Sequence, residues 1–170
     1  MSAWYRVQQF FQAVRARVEP EERELVRRLL PPAAADLFSR LPRQDQRHGL
    51  DVAGALLQRR QDDPDLLAAA LLHDAGKAVA GLTVFHRSAI VLLAHWGPGW
   101  LRRLGSGRRR WQRPFWVHLH HPALGAELAR GAGCSERTAR LIALHHAEPV
   151  AAGDAERVLL AALQEQDAAH

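Results

Sequence analysis

Several residue types are nearly missing from this chain of 170 residues, and each shortage excludes a class of structure. The single cysteine, Cys134, excludes an internal disulfide framework and a thiolate metal cluster. No apolar run reaches the roughly 18 residues that a membrane-spanning helix requires. Alternating runs of Val, Ile and Thr, typical of strands, are also missing, so we expect no sheet. Because the N-terminus lacks the apolar centre of a secretory signal, we expect a cytoplasmic protein.

Lysine is equally scarce, because Lys77 is the only one and the remaining permanently charged basic residues are all arginine. The net charge of +5 and the pI of about 10.8 suit an anionic partner such as a nucleotide, although a genome that favours arginine would give the same bias. Arginine stays charged, whereas lysine is a compact charge whose pKa can move. A single lysine in this background suggests that position 77 requires an ammonium group.

Apolar residues recur at helical spacing along most of the chain, and its length suits one domain. Helices are predicted over residues 3–18, 20–30, 33–41, 48–60, 65–79, 83–95, 122–131, 135–146 and 154–167. Ser135 and Asp154 are the predicted caps of the last two. We therefore predict an all-α helical bundle. Residues 1–44 would form an N-terminal helical extension packed on a core of residues 45–170, with Trp4, Phe10 and Phe11 buried against it.

Histidine and aspartate side chains recur on the apolar faces of these predicted helices. They follow apolar residues at spacings of three, four or seven, which places them on the buried side. A buried carboxylate costs several kcal/mol unless it is paired or bound to a metal. A shared metal centre would account for the whole set, and imidazole with carboxylate suits Mn, Fe, Co, Ni or Zn. Its members are His48, His73, Asp74, His121, His145, His146 and Asp167.

This set of ligands is large enough for two divalent transition metal ions. One ion could be bound by His48, His73, Asp74 and Asp167, and a second by His121 and His145 or His146, with Asp74 as the bridge. Two ions about 3.5–4 Å apart can activate a water molecule and neutralise a phosphate. Lys77 follows Asp74 by three residues, so it could hold a phosphate oxygen or protonate a leaving group. Asp74 and Lys77 are therefore the predicted catalytic residues.

The motifs resemble those of the HD superfamily of metal-dependent phosphohydrolases. The order His48, His73-Asp74, Asp167 is similar to the family pattern, and HDAGK at 73–77 looks like its HD-x-G-K version. HHPALGAEL at 120–128 and LHH at 144–146 resemble the additional histidine motifs of dinuclear members, including the HD-GYP phosphodiesterases. The resemblance covers residues 45–170. It implies an HD-like bundle that hydrolyses a nucleotide or related small phosphate ester.

The resemblance also implies a ligand set, and departures from the family pattern narrow it. The first ion would be held by His48, His73, Asp74 and Asp167, and the second by Asp74, His121 and His145, with His146 as a further candidate. The GYP segment is absent, which argues against a cyclic di-GMP phosphodiesterase. Gln44 stands where trinuclear members carry glutamate, so we expect two ions. A di-iron oxygenase and a non-catalytic signalling or binding module remain as alternatives.

A second feature is the clustering of tryptophan with arginine. Such a segment could stack a base, bind phosphates or rest on a membrane surface. The alternative is a long connection whose aromatic residues anchor it to the core while its arginines are solvated. Nucleic acid is the weaker alternative as a partner, because no recognition motif is present, and peripheral membrane contact stays open. The segment holds Trp96, Trp100, Trp111, Phe115 and Trp116, with Arg102, Arg103, Arg108, Arg109, Arg110 and Arg113.

Overall fold

The computed structural model describes residues 18–80, 90, 93, 97–107, 109–148 and 153–170. All regular structure among these residues is helical, which confirms the predicted all-α class. The α-helices are α1 (Pro20–Leu29), α2 (Pro32–Ser39), α3 (Arg43–Gln58), α4 (Pro64–Leu72), α5 (Pro98–Gly105), α6 (Arg113–Gly131), α7 (Glu136–Leu144) and α8 (Asp154–Ala169). Short 3-10 helices cover Ala75–Ala80 and Arg110–Gln112. The predicted helix over 3–18 and most of that over 83–95 fall outside the described residues, as do Trp4, Phe10 and Phe11.

Helix α4 is the centre of the main hydrophobic core. Every residue from Leu66 to Leu72 is buried, as expected for a helix that is apolar on all sides. Its start is fixed by Asp63, whose carboxylate accepts hydrogen bonds from the backbone N–H groups of Asp65 and Leu66 at 3.0 and 3.1 Å. Helices α1, α3, α7 and α8 pack around α4, and α6 packs on α7 and on the 3-10 helix that follows α4.

The same core includes the first described helices. Val26 and Leu30 at the end of α1, and Phe38 in α2, belong to the apolar cluster that contains α4. A smaller cluster joins Leu101 of α5 to Phe115 of α6 and to Ile90. The division into residues 1–44 and 45–170 stays a prediction. Within the described part of the chain, no helix is long and apolar enough to cross a membrane.

The predicted continuous helix over 65–79 is wrong. Helix α4 ends at Leu72, His73 occupies its C-cap, and the chain continues as the 3-10 helix Ala75–Ala80. Lys77 N–H donates to the carbonyl of Asp74, three residues back, at 2.9 Å. Gly76 disfavours a regular helix at this point. The tighter winding therefore begins directly after the His73-Asp74 pair.

The predicted start of a helix at Pro122 is also wrong, because α6 runs from Arg113 to Gly131 with Pro122 inside it. Proline usually interrupts a helix, since it lacks the N–H that would bond four residues back. Here the carbonyl left without that partner belongs to His118, and it accepts a hydrogen bond from His121 Nδ1 at 2.6 Å. A side chain thus replaces the missing backbone donor and the helix continues.

Other helix bounds differ by smaller amounts. Helix α3 begins at Arg43 rather than at residue 48, because Pro42 already sets its cap conformation. Ser135 caps α7 as predicted and accepts from the N–H of Thr138 at 3.0 Å. The cap of α8 is Gly153 rather than the predicted Asp154, and the helix continues to Ala169 because alanine is a strong helix former.

Candidate metal centre

The folded chain brings the seven predicted ligand residues together in one cluster. His48 comes from α3, His73 and Asp74 from the end of α4, His121 from α6, His145 and His146 from the end of α7, and Asp167 from α8. His73, His121 and His145 are each 1% exposed and Asp74 is 8% exposed. His48 and Asp167 are half-buried, and His146 lies at the exposed edge. Five separate helices therefore aim ionisable groups at a common centre.

The three buried histidines are held in the same way. The Nδ1 atoms of His73, His121 and His145 donate to the carbonyls of Ala70, His118 and Ile142, three residues earlier, at 2.9, 2.6 and 2.7 Å. A carbonyl only accepts, so Nδ1 carries the proton in each ring and a neutral ring keeps a lone pair on Nε2. Such hydrogen bonds are the usual means of orienting histidines that bind metals.

The three carbonyls can accept hydrogen bonds from the histidine rings because of where they lie in their helices. Ala70 and Ile142 lie in the last turns of α4 and α7, where carbonyls lack the regular helical partner. The carbonyl of Ile142 also accepts a long hydrogen bond from the backbone N–H of His145 at 3.5 Å. His118 lies in the middle of α6, and its carbonyl is freed by Pro122. Pro122 thus gives His121 the setting that a helix end gives to His73 and His145.

Asp74 lies between the two halves of the cluster. Its Oδ1 atom is 3.7 Å from His73 Nε2 and 3.5 Å from His121 Nε2. Its Oδ2 atom accepts a hydrogen bond from Lys77 Nζ at 2.6 Å. Burial raises the pKa of Asp74, but the charges of Lys77 and His73 outweigh that effect and hold the pKa well below its usual range. The carboxylate is therefore ionised, with one oxygen directed at the histidines.

Four buried atoms of this cluster have no hydrogen-bond partner among the described residues: His73 Nε2, Asp74 Oδ1, His121 Nε2 and His145 Nε2. An unpaired buried polar atom costs about 1–3 kcal/mol, so four of them facing one another require an explanation. All four are lone-pair donors of the kinds that first-row transition metals bind. Cations bound among these atoms would satisfy them, and the residues present therefore fit a metal centre.

The candidate ligand atoms separate into two groups that each suit one ion. His48, His73 and Asp74 form one, and His121, His145 and His146 form the other; within each, the ligand atoms lie within 4.8 Å of one another. This grouping parallels the two sites expected from the sequence, with Asp74 reaching both.

Asp167 completes the first group. Its Oδ1 atom is 2.9 Å from His48 Nε2 and 3.4 Å from His73 Nε2, although only the contact with His48 has the geometry of a hydrogen bond. Burial raises the pKa of Asp167, but the contacts with His48 and His73 hold it well below its usual range. Burial lowers the pKa of His73, and the carboxylates of Asp167 and Asp74 more than offset this and raise it. Excess negative charge here favours a cation, either a proton or a metal ion.

The second group is electrostatically different, because its histidines favour the neutral form. Burial is the main cause that lowers the pKa of His121 to about 3, assisted by the charge of Lys77. Burial and the neighbouring His73 lower the pKa of His145 to about 4. Burial also lowers the pKa of His146, whose ring centroid is 4.0 Å from that of His145. Neutral imidazole is the form that coordinates a metal.

Two glycines allow the backbone segments of the centre to approach closely. A Cβ atom on Gly76 would lie 2.1 Å from the carbonyl oxygen of His121, and one on Gly49 would lie 2.9 Å from that of Leu71. Gly76 therefore lets the segment that carries Asp74 and Lys77 contact α6. Gly49 does the same for α3 and α4, next to His48. The glycine of the HDAGK string has a steric role at the site.

Two further histidines of α6 differ from each other in their environment. The ring of His118, which sequence reasoning left unassigned, stacks on His121 at a centroid distance of 5.8 Å, and burial together with the charge of Lys77 lowers its pKa. Its spacing of three from His121 is the signal that could have identified it. His120 points away, stacked on Trp116 at 4.3 Å, which agrees with the choice of His121 as the ligand.

A cavity of about 1130 Å³ lies between α1 and α2, away from this cluster. Val26, Leu30 and Phe38 form part of its lining, and none of the seven candidate ligands does. Volume alone does not make a catalytic site, whereas converging ionisable groups with perturbed pKa values do indicate one. The candidate metal centre is therefore the better candidate for a catalytic site.

Comparisons with known proteins assign no relationship to this chain. No protein-family model matches it, and neither a curated protein nor a solved structure shows significant similarity to it.

Proposed function

We propose that this chain is an HD-type metal-dependent phosphohydrolase that acts on a nucleotide or related small phosphate ester. The observation that carries the proposal is the convergence of four buried atoms without a hydrogen-bond partner in the described part of the chain, namely three imidazole Nε2 atoms and one carboxylate oxygen. Isolated histidines are common in protein cores, but such cores normally satisfy them. The motif order His48, His73-Asp74 and Asp167 supports the assignment to the HD type.

The ions would be held by His48, His73, Asp74 and Asp167 on one side and by Asp74, His121, His145 and His146 on the other. When bound, a pair of divalent ions supplies Lewis acidity toward phosphoryl oxygens and lowers the pKa of water. Asp74 is suited to serve both ions because its Oδ1 atom lies 3.5–3.7 Å from a histidine of each group. His121 and His145 are suited to coordination because the neutral form of each is favoured.

Lys77 is the residue of the chain best placed to contact the substrate. Its ammonium is bonded to Asp74 Oδ2, yet its side chain remains 23% exposed. A phosphate oxygen approaching the centre from solvent would meet this positive charge. The ammonium would then bind the ester and offset the negative charge that develops on its oxygens in the transition state. Lysine differs from the arginines of the chain in carrying a compact charge with three rotatable donors.

Two variants and a matched control test the proposal on protein loaded with Mn²⁺ or Fe²⁺. The substrates are a phosphomonoester, a phosphodiester and a panel of nucleotides. We expect Asp74→Asn to lose both metal and turnover, because it removes the shared carboxylate. Lys77→Gln should retain the metal and lose turnover by about 10²-fold or more, as for other groups that stabilise developing charge. The control Asp36→Asn changes an exposed aspartate of α2 and should behave as the wild type.

Full turnover in Asp74→Asn would end the proposed mechanism. Absence of hydrolysis on every ester, with oxygen consumption by the iron-loaded protein, would replace it with the oxygenase alternative.

A further inference from the structure

Carboxylates are absent from residues 75–126, a stretch that holds Lys77 and seven arginines. The positive charges of such a segment repel one another, and an anionic partner would reduce that repulsion. Lys77 is accounted for by the metal centre, but the arginines are not. Arg102, Arg103, Arg109, Arg110 and Arg113 are exposed, and among the described residues none of the five forms an ion pair with a carboxylate.

The same part of the molecule exposes large apolar side chains. Trp100 is 63% exposed and Trp111 56%, and Trp116 and Leu119 are also exposed. These four side chains and the five arginines lie on α5, the 3-10 helix Arg110–Gln112 and the first turns of α6; we name them the tryptophan–arginine face. The expected alternative, in which aromatic residues anchor this segment to the core, applies to Phe115, which is buried, but not to the three tryptophans.

Contacts between these elements hold them against one another. Gly105 at the end of α5 lies against Leu119 of α6, leaving no space for a Cβ atom. Arg113 Nη2 donates to the carbonyl of Val79 at 3.4 Å, which joins the face to the exposed end of the 3-10 helix Ala75–Ala80. Leu101 and Phe115 are buried beneath it. The elements that carry the face are therefore packed on a small apolar cluster, while its charges and rings are exposed to solvent.

The apolar groups on this face fit a lipid surface better than a nucleic acid. Bases stack on open aromatic rings, whereas Trp116 already stacks on His120 at 4.3 Å and Trp100 lies under the guanidinium of Arg103 at 5.7 Å. Leu119 and Val79 offer aliphatic area that a base does not cover but an acyl chain does. Protein segments that lie at the boundary between lipid headgroups and acyl chains are enriched in tryptophan and in basic residues such as arginine.

We infer that the tryptophan–arginine face docks the protein on an anionic phospholipid surface. The arginines bind headgroup phosphates, for which their planar fork is suited. Trp100, Trp111 and Leu119 enter the headgroup boundary and add the apolar contribution. This inference is independent of the proposed enzymatic activity, because it uses no residue of the metal centre.

The test is cosedimentation of the full chain with phospholipid vesicles. We expect binding to vesicles that contain phosphatidylglycerol and little binding to vesicles of phosphatidylcholine alone. Arg102→Gln/Arg110→Gln should weaken the partition coefficient roughly 30-fold, because two charges near an anionic surface are lost. Trp100→Ala/Trp111→Ala should abolish the part of the binding that survives high salt, since apolar insertion is not screened.

A matched control separates this face from the general positive charge of the chain. Arg23→Gln/Arg28→Gln removes the same charge from exposed positions of α1 and should leave vesicle binding unchanged. Equal loss in this control would show that the face has no special role and would overturn the inference. No vesicle binding, or preferential binding of a single-stranded oligonucleotide in the same buffer, would overturn it as well. A phosphohydrolase assay in parallel keeps the two proposals distinguishable.

Discussion

A methyl group at position 76 would separate the two segments that form the centre. In Gly76→Ala the new Cβ would lie 2.1 Å from the carbonyl oxygen of His121 and 2.8 Å from the backbone nitrogen of Gly125. Neither atom belongs to a flexible side chain, so the backbone must shift by about 1 Å to reach van der Waals distance. Overpacking of this kind costs about 1–3 kcal/mol. The gain of about 0.5–1 kcal/mol from replacing a helical glycine offsets only part of it.

The same displacement would lengthen the 3.5 Å gap between Asp74 Oδ1 and His121 Nε2. Loss of geometry in the groups that orient metal ligands typically weakens metal binding 10- to 100-fold. We therefore expect Gly76→Ala to lower both the free energy of unfolding of the metal-free protein and the affinity for Mn²⁺. Urea denaturation and metal titration measure the two effects.

Gly54→Ala provides the matched control. Gly54 lies within α3, and a Cβ there would meet no atom of the described residues within 4 Å, so this variant should gain about 0.5–1 kcal/mol. The reasoning is refuted if Gly76→Ala is stabilised as much as Gly54→Ala and binds Mn²⁺ with unchanged affinity.

Two further perturbations test the hydrogen bond that orients His121 and the lowered pKa values of His121 and His145. Pro122→Ala restores a backbone N–H that competes with His121 Nδ1 for the carbonyl of His118, so we expect a higher melting temperature and metal binding weaker by roughly tenfold. For the metal-free protein, we expect stability to fall as pH falls from about 6.5 toward 4. His121 and His145 have pKa values of about 3 and about 4 when folded, so the unfolded chain binds more protons in this interval. Each contributes a slope of roughly 1 kcal/mol per pH unit, and the raised pKa of His73 opposes part of it. Urea unfolding at several pH values should give a shallower slope for His121→Gln, and an unchanged slope would contradict the assignment.

The all-α class and the central position of α4 could be predicted because they follow from local patterns. Apolar residues on every side of a helix require burial, and Leu66 to Leu72 are buried throughout. The end of α4 could not be predicted from those patterns, because alanine and apolar residues continue at Ala75, Ala78 and Val79, although Gly76 is a poor helix former. It depends on a contact between Gly76 and His121, which are 45 residues apart in the sequence. The start of α6 was predicted wrongly because a proline normally marks the start or end of a helix. Here the side chain of His121 replaces the backbone donor that Pro122 lacks, and the helix continues.

The residues of the candidate centre could be predicted because histidine and aspartate are rare on the apolar faces of helices, where their burial costs free energy. All seven predicted ligands lie in one cluster, although their role as ligands stays a prediction. The orientation of each ring was not predictable, because it depends on which carbonyls are free at the ends of α4 and α7. The position of His118 could not be predicted from the sequence for a related reason. Its place beside Lys77 and His121 depends on how α6 packs on the 3-10 helix Ala75–Ala80.

The most direct test of the central claim is the metal content of the full chain, measured by mass spectrometry on protein purified without a metal-affinity tag. The proposal predicts about two transition-metal ions per chain, as expected for a centre that holds a phosphate ester between paired ions. It also predicts their loss in Asp74→Asn but not in the exposed control Asp36→Asn. Absence of metal from the wild-type protein, even after incubation with Mn²⁺ or Fe²⁺, would contradict the proposal.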